Sequence, residues 1–107
     1  MVFDIDGKTL KEWIDAGKSI SIIDARDPSD FKKGHIENAV SLLNAEVEDK
    51  ASKLLKKDAE IVVYSNDYEC PASGLVAEKL DRMGYGPVYN YNPSYADWIN
   101  LGNPVVK

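Results

Sequence analysis

The sequence is short of the residues that most often carry chemistry. It holds one cysteine, Cys70, and one histidine, His35. One cysteine excludes an internal disulfide, and with a single histidine it argues against a zinc site. Positive charge is also scarce: 13 Lys and Arg stand against 18 Asp and Glu, a net charge of −5. That argues against nucleic acid and anionic membrane as partners, because no basic field would draw them in. It is mildly unfavourable for a small anionic substrate as well. No apolar run approaches the roughly 18–20 residues of a membrane span. The opening "MVFDIDGKTL" lacks the basic and apolar regions of a secretory signal, so a cytoplasmic location is expected. Repeats, low-complexity tracts and linkers are missing too.

What is present is ordinary globular material. The 107 residues are 44% hydrophobic and 29% charged, which suits one domain over 1–107 with one core. "TLKEWIDAG" spaces Leu10, Trp13 and Ile14 as a short helix stopped at Gly17. "SISIIDAR" alternates and is β-branched, a strand ending near Asp24. "DPSDFKKG" reads as one helical turn closed by Gly34, and "NAVSLL" as a short strand. "AEVEDKASKLLKK" puts Val47, Ala51, Leu54 and Leu55 on one helical face. "EIVVYS" is the clearest strand, a continuous apolar run expected of a central strand covered on both faces. "PASGLVAEKLDRMG" is an amphipathic helix with Pro71 at its first position and Gly84 at its stop. "PVYNY" is a last strand. "SYADWINLG" opens with Ser94 three residues before Asp97, which resembles a capping box. Strands alternating with helices predict an α/β fold with a mainly parallel sheet, and ligands bind such sheets beyond the carboxyl ends of the strands.

Two loops reach that edge, one after Asp24 and one after Tyr64. The second, "SNDYEC", runs from Ser65 to Cys70 into the helix that follows. Its N–H groups and the helix dipole make an anion cradle, and a thiol held there is acidified. A serine hydroxyl there needs a general base. Asp67 and Glu69 act in the opposite sense, raising a thiol pKa and repelling an anionic donor. A lone cysteine near a helix start is otherwise a small buried hydrophobe.

Three stretches together resemble a rhodanese-like (sulfurtransferase) domain in its single-domain form. "IIDARDPSDFKKGHIENAVSLL" matches the first signature through Asp24, Arg26, Phe31, Gly34, His35, Ile36 and Ala39. "IVVYSNDYECPASGLVAEKLDRMGYGPVYNY" matches the strand, loop and helix of the reactive site. "DWINLGNPVV" matches the closing signature through Trp98, Gly102 and Pro104. The resemblance implies a three-layer α/β fold, with a mainly parallel central sheet and helices on both faces. It implies transfer of sulfane sulfur from a donor such as thiosulfate, through a cysteine persulfide in the 65–71 loop. The acceptor would be cyanide or a thiol, including a protein thiol. No metal or organic cofactor is implied.

This chain departs from the pattern at its centre. Ser65 stands where the family usually has its nucleophilic cysteine. Cys70 matches the second cysteine of longer-loop members, five residues on and before a Pro-x-Ser helix start. Asn92-Pro93 replaces a frequent glycine pair, and the loop lacks the basic residue found near its end in many members. Cys70 and Ser65 are therefore the candidate catalytic positions. Arg26, Asn66, Asp67, Tyr68, Glu69 and Ser73 are the candidate substrate-binding ones. Arg26 either steers an anionic donor or pairs with Asp24 to pin its loop, the commoner use of such a pair. His35 either serves Ser65 as a base or hydrogen-bonds backbone in a tight turn, the commoner use. Two functions stay open: a sulfurtransferase using Cys70, and a catalytically inactive binding or regulatory module. A phosphatase of a related fold would need a Cys-x5-Arg loop, and no arginine lies between Ser65 and Leu80.

Overall fold

The computed structural model describes residues 1–107. In chain order its elements are β1 (Val2–Asp4), α1 (Gly7–Asp15), β2 (Ile20–Asp24), α2 (Pro28–Lys33), β3 (Val40–Ser41), a 3-10 turn (Asn44–Glu46), α3 (Val47–Leu54), β4 (Glu60–Tyr64), α4 (Ala72–Arg82), β5 (Val88–Asn90) and α5 (Ser94–Asn100). The strands form one sheet in the order β1-β5-β4-β2-β3, and every pairing is parallel. β4 is central. Its partners are β2, from Ile20 opposite Glu60 to Asp24 opposite Tyr64, and β5, from Ile61 opposite Val88 to Val63 opposite Asn90.

The alternation of side chains along β4 builds the three layers. Ile61 and Val63 join Ile23, Val47, Ala51, Val76, Ala77, Leu80 and Val88 in the core beneath α3 and α4. Val62 and Tyr64 point the other way, into a second core with Leu10, Ile22, Ile36, Tyr91 and Trp98. Period-two alternation thus lets one strand supply both faces of the sheet. Trp98 is the largest fully buried side chain, and its indole N–H donates to the Pro104 carbonyl at 2.9 Å. That bond satisfies the polar end of an otherwise apolar group.

The expected strands and helices are present, with four differences. β1 was not foreseen: it is three residues long, lies at the sheet edge and pairs only with β5. The "NAVSLL" strand shrinks to Val40–Ser41. α3 ends at Leu54, which is 44% exposed, and Leu55 turns extended to bury its own side chain. Leu54 therefore does not belong to the buried stripe. Pro71 lies just before α4 rather than in it, though its carbonyl already accepts the Leu75 N–H at 3.0 Å. At the other end of α4, Gly84 at φ 91° lets the Gly84 and Tyr85 N–H groups reach the Asp81 and Leu80 carbonyls. That is the Schellman closure which a glycine makes without steric cost.

Candidate functional site

The 65–71 loop begins where β4 ends, at the carboxyl edge of the sheet. Its first two residues are tied to the start of α5. The Ser65 N–H donates to Ser94 Oγ at 3.0 Å, and the Ser94 hydroxyl donates to the Tyr91 carbonyl at 2.9 Å. The Ser65 and Asn66 carbonyls accept the Tyr95 and Ala96 N–H groups at 3.0 and 2.9 Å. Ser65 is fully buried, and its hydroxyl faces Cys70, with Oγ 3.0 Å from Sγ. The second half of the loop is organised by Asp67. Its Oδ1 accepts the Glu69 and Cys70 N–H groups, each at 3.0 Å. This is the turn an aspartate closes when its side chain substitutes for a backbone acceptor.

Cys70 is partly buried at the loop's end. Burial pushes its thiol pKa up, but the net direction is down from 9.0. The Ser65 hydroxyl and hydrogen bonds from the backbones of Ala72 and Asn66 stabilise the thiolate by more than burial costs it, and the Asp67 charge opposes them. These are the hydrogen bonds to the charged form that favour ionisation. The sulfur thus lies just before α4, beside the buried hydroxyl of Ser65 and within reach of the Ala72 and Asn66 backbones. A serine in the usual nucleophile position does not leave the loop empty, because the later cysteine folds back onto it.

The remaining candidates divide. Asn66, Asp67, Tyr68 and Glu69 are exposed along the loop, Tyr68 at 68%. Ser73 is not presented to a ligand: it is fully buried in the first turn of α4, and its hydroxyl has no hydrogen-bond partner. Arg26 is 5% exposed, with its Nε and Nη2 groups turned to Asp24 and Gly34. Its Nη2 donates to Asp24 Oδ2 at 2.8 Å and to the Gly34 carbonyl at 2.6 Å, its Nε also reaches the carboxylate, and its guanidinium stacks 3.9 Å from the Tyr95 ring. Burial disfavours its charge, but the hydrogen bond and charge of Asp24 outweigh that and hold it protonated. The same carboxylate accepts the Tyr64 hydroxyl at 2.6 Å, while that hydroxyl accepts the Ile36 N–H at 3.1 Å. Burial, then the Asp24 carboxylate, push the Tyr64 phenol up. Asp24, Arg26 and Tyr64 thus form one buried hydrogen-bonded network at the carboxyl ends of β2 and β4.

His35 takes the turn role. Its Nδ1 lies 2.8 Å from the Phe31 carbonyl, which can only accept, so that nitrogen carries the proton. Its ring stacks on Phe31 at 3.8 Å, and its backbone bridges to Val106. No three His, Cys, Asp or Glu side chains come together as a metal-holding group.

Ser94 is the residue that sequence reasoning misread. The Ser94 and Asp97 spacing suggested a capping box, yet neither side chain caps α5. Ser94 lies at φ 64° and turns its hydroxyl to Ser65 and Tyr91. Asp97 accepts the Tyr91 hydroxyl at 2.6 Å, and burial followed by that carboxylate pushes the Tyr91 phenol up. A serine in the left-handed region is uncommon outside positions the surrounding structure fixes. The Asn92-Pro93 that replaces a glycine pair leads directly into it.

The profile of the rhodanese-like domain matches residues 6–101, and the chain belongs to that family. A protein of Bacillus subtilis named as a sulfur carrier, YrkF, is 27% identical over 95 residues; the match covers 89% of this chain and 50% of YrkF. The chain therefore spans half the length of that relative. A protein of Allochromatium vinosum named sulfurtransferase is 26% identical over 106 residues, covering 99% of this chain and 96% of its own. The solution structure of the rhodanese-like domain of Anabaena Alr3790 superposes with a TM-score of 0.87 at 28% identity, over 99% of this chain and 80% of that one. The three-layer parallel fold expected from the resemblance is the fold observed. No helix is long and apolar enough to cross a membrane.

Proposed function

We propose that this chain is a sulfurtransferase that carries sulfane sulfur as a persulfide on Cys70. The observation that carries this reading is the 3.0 Å contact between Cys70 Sγ and the buried Ser65 hydroxyl at the end of the central strand. The names borne by YrkF and by the Allochromatium protein point in the same direction.

The residues divide the work simply. The Cys70 thiol loses its proton to solvent, and the thiolate is held by the Ser65 hydroxyl and the backbones of Ala72 and Asn66. With thiosulfate as donor, the thiolate attacks the outer sulfur. The sulfur–sulfur bond of the donor breaks, sulfite leaves with the electron pair, and Cys70 becomes a persulfide anion. An acceptor nucleophile, cyanide or a thiolate, then attacks the terminal sulfur and returns Cys70 to its thiolate. The reading needs no general base beside a thiol whose pKa is lowered, and His35 is turned to the Phe31 carbonyl.

A second reading has its own support. Asp67 opposes ionisation of Cys70, and Glu69 adds an exposed negative charge at the same loop. Under that reading the fold is a catalytically inactive binding or regulatory module. One experiment separates the two. The protein is treated with a sulfane donor, intact mass is recorded, and thiocyanate is measured after cyanide is added, with Cys70→Ser alongside. A gain of about 32 Da confined to the parent protein, with thiocyanate formation lost in the variant, supports sulfur transfer. No mass gain, or equal thiocyanate from both proteins, leaves the module reading.

A further inference from the structure

We propose that the sulfur donor is a protein persulfide flanked by lysine and arginine side chains, docking on the acidic rim of the 65–71 loop. The proposal rests on Cys70 as the sulfur carrier and names the partner of that site.

Sulfur transfer brings two anions together: the Cys70 thiolate, and either a persulfide or a thiosulfate ion. Positive potential has to come from somewhere to offset their repulsion. This chain supplies little of it. The loop contains Asp67 and Glu69, both exposed, and no lysine or arginine between 65 and 71. Arg26 is 5% exposed and pairs with the buried Asp24 carboxylate and the Gly34 carbonyl, so it offers little charge to the surface. Two of the loop's N–H groups, those of Glu69 and Cys70, are already taken by the Asp67 carboxylate, whose charge also works against the thiolate. The missing cation must therefore arrive with the donor. The net charge of −5 extends the same preference over the whole molecule.

Two further features favour a protein over a free small molecule. Tyr68 stands between the two carboxylates at 68% exposure. A large, stiff aromatic with a polar tip is the kind of side chain that anchors protein interfaces. The cavity the fold does form, about 560 Å³, is lined by Ser19, Ser21, Leu54, Lys56, Ala59 and Glu60 near the amino ends of β2 and β4, away from Cys70. Cys70 itself lies in a loop whose neighbours Asn66 to Glu69 face solvent, a surface another protein can cover.

The step balances without an oxidant. The Cys70 thiolate attacks the outer sulfur of the partner's persulfide. The partner's sulfur–sulfur bond breaks, its own sulfur leaves as a thiolate with the electron pair, and Cys70 becomes the persulfide anion, so two negative charges stand on each side of the step.

The test uses the full chain and three synthetic peptide persulfides that differ only in the residues flanking the cysteine: Lys and Arg, Ser and Gly, or Asp and Glu. Thiosulfate is a fourth donor. The initial rate of persulfide formation on Cys70 is read by mass at low salt and at about 0.5 M salt. The basic peptide should load Cys70 at least about tenfold faster than the neutral one at low salt, and the acidic peptide should be slowest. High salt should collapse the difference, and Glu69→Lys should narrow it. Equal rates from the three peptides, or faster loading by thiosulfate than by the basic peptide, overturn the proposal and leave Cys70 as a carrier. No persulfide from any of the four overturns the carrier reading itself.

Discussion

Replacing Ser65 by alanine isolates the effect of one hydroxyl on one sulfur. The only hydrogen bond made by Ser65 Oγ is the 3.0 Å contact with Cys70 Sγ. The two backbone bonds to Ser94 and Tyr95 use the Ser65 N–H and carbonyl, which alanine keeps. The exchange removes one oxygen from a fully buried position and leaves no large cavity. A hydrogen bond to a charged group contributes about 1.5–3 kcal/mol. Cys70 is partly exposed, so water replaces some of what is lost and the lower end of that range applies. At 1.36 kcal/mol per factor of ten, the thiolate-to-thiol ratio of Cys70 should fall about tenfold at neutral pH. The assay is the rate of iodoacetamide alkylation across pH, with the thermal midpoint as a control. In Ser65→Ala the alkylation curve should move to higher pH while the midpoint stays near that of the parent. Superimposable alkylation curves would refute the account of how Cys70 is acidified, whatever the fate of activity. A cooperative loss of fold would show instead that the hydroxyl serves packing.

Four other outcomes follow from the same geometry. In the parent protein, alkylation of Cys70 should level off at a lower pH than that of a free cysteine, because the folded thiol pKa is lowered from 9.0. The linkage has a defined sign. A lowered folded value means that ionisation of Cys70 adds stability which is fully present above pH 9.0 and is lost as pH falls through the folded value. The urea-derived stability of the parent relative to Cys70→Ser should therefore grow on the alkaline side; a constant difference across that window contradicts it. Arg26→Ala leaves the Asp24 carboxylate buried without its cation, and should cost about 3–5 kcal/mol in urea unfolding. Ser94→Ala removes the acceptor of the buried Ser65 N–H, and should cost about 1–3 kcal/mol while accelerating hydrogen exchange at Ser65; unchanged exchange there would count against the tie between loop and α5.

Much of this was legible in the sequence because the decisive signals were local. The run Ile61 to Tyr64 could only be a strand covered on both sides, and the stripe from Ala72 to Met83 could only be a helix beside it. The loop between them followed by elimination. What escaped was set by contacts between distant residues. Val2 to Asp4 carry no alternation that distinguishes an edge strand, since Phe3 is 45% exposed and the strand exists only because β5 lies next to it. Ser94 and Asp97 have the spacing of a cap, and only their position against Ser65 and Tyr91 diverts them. Asp67 was legible as a charge hostile to a thiolate. Its second use, closing the turn that carries Cys70, depends on a backbone geometry that no residue pattern states. The pairing of Ser65 with Cys70 needed the same turn.

The order of the sheet has a consequence for how the chain is made. β1 has β5 as its sole neighbour, with Val2 opposite Val88. Ser65 receives its backbone partners only from Ser94 and Tyr95. During synthesis, then, the first strand waits for nearly the last one, and the sulfur-bearing loop waits for the helix after it. Such long-range closure slows folding and disfavours a stable amino-terminal intermediate. A ribosome-bound fragment ending before Val88 would hold β2, β3 and β4 with one side of β4 open, and its cysteine in a loop not yet fixed. The lowered pKa of the Cys70 thiol should therefore be established only after β5 and α5 have left the ribosome.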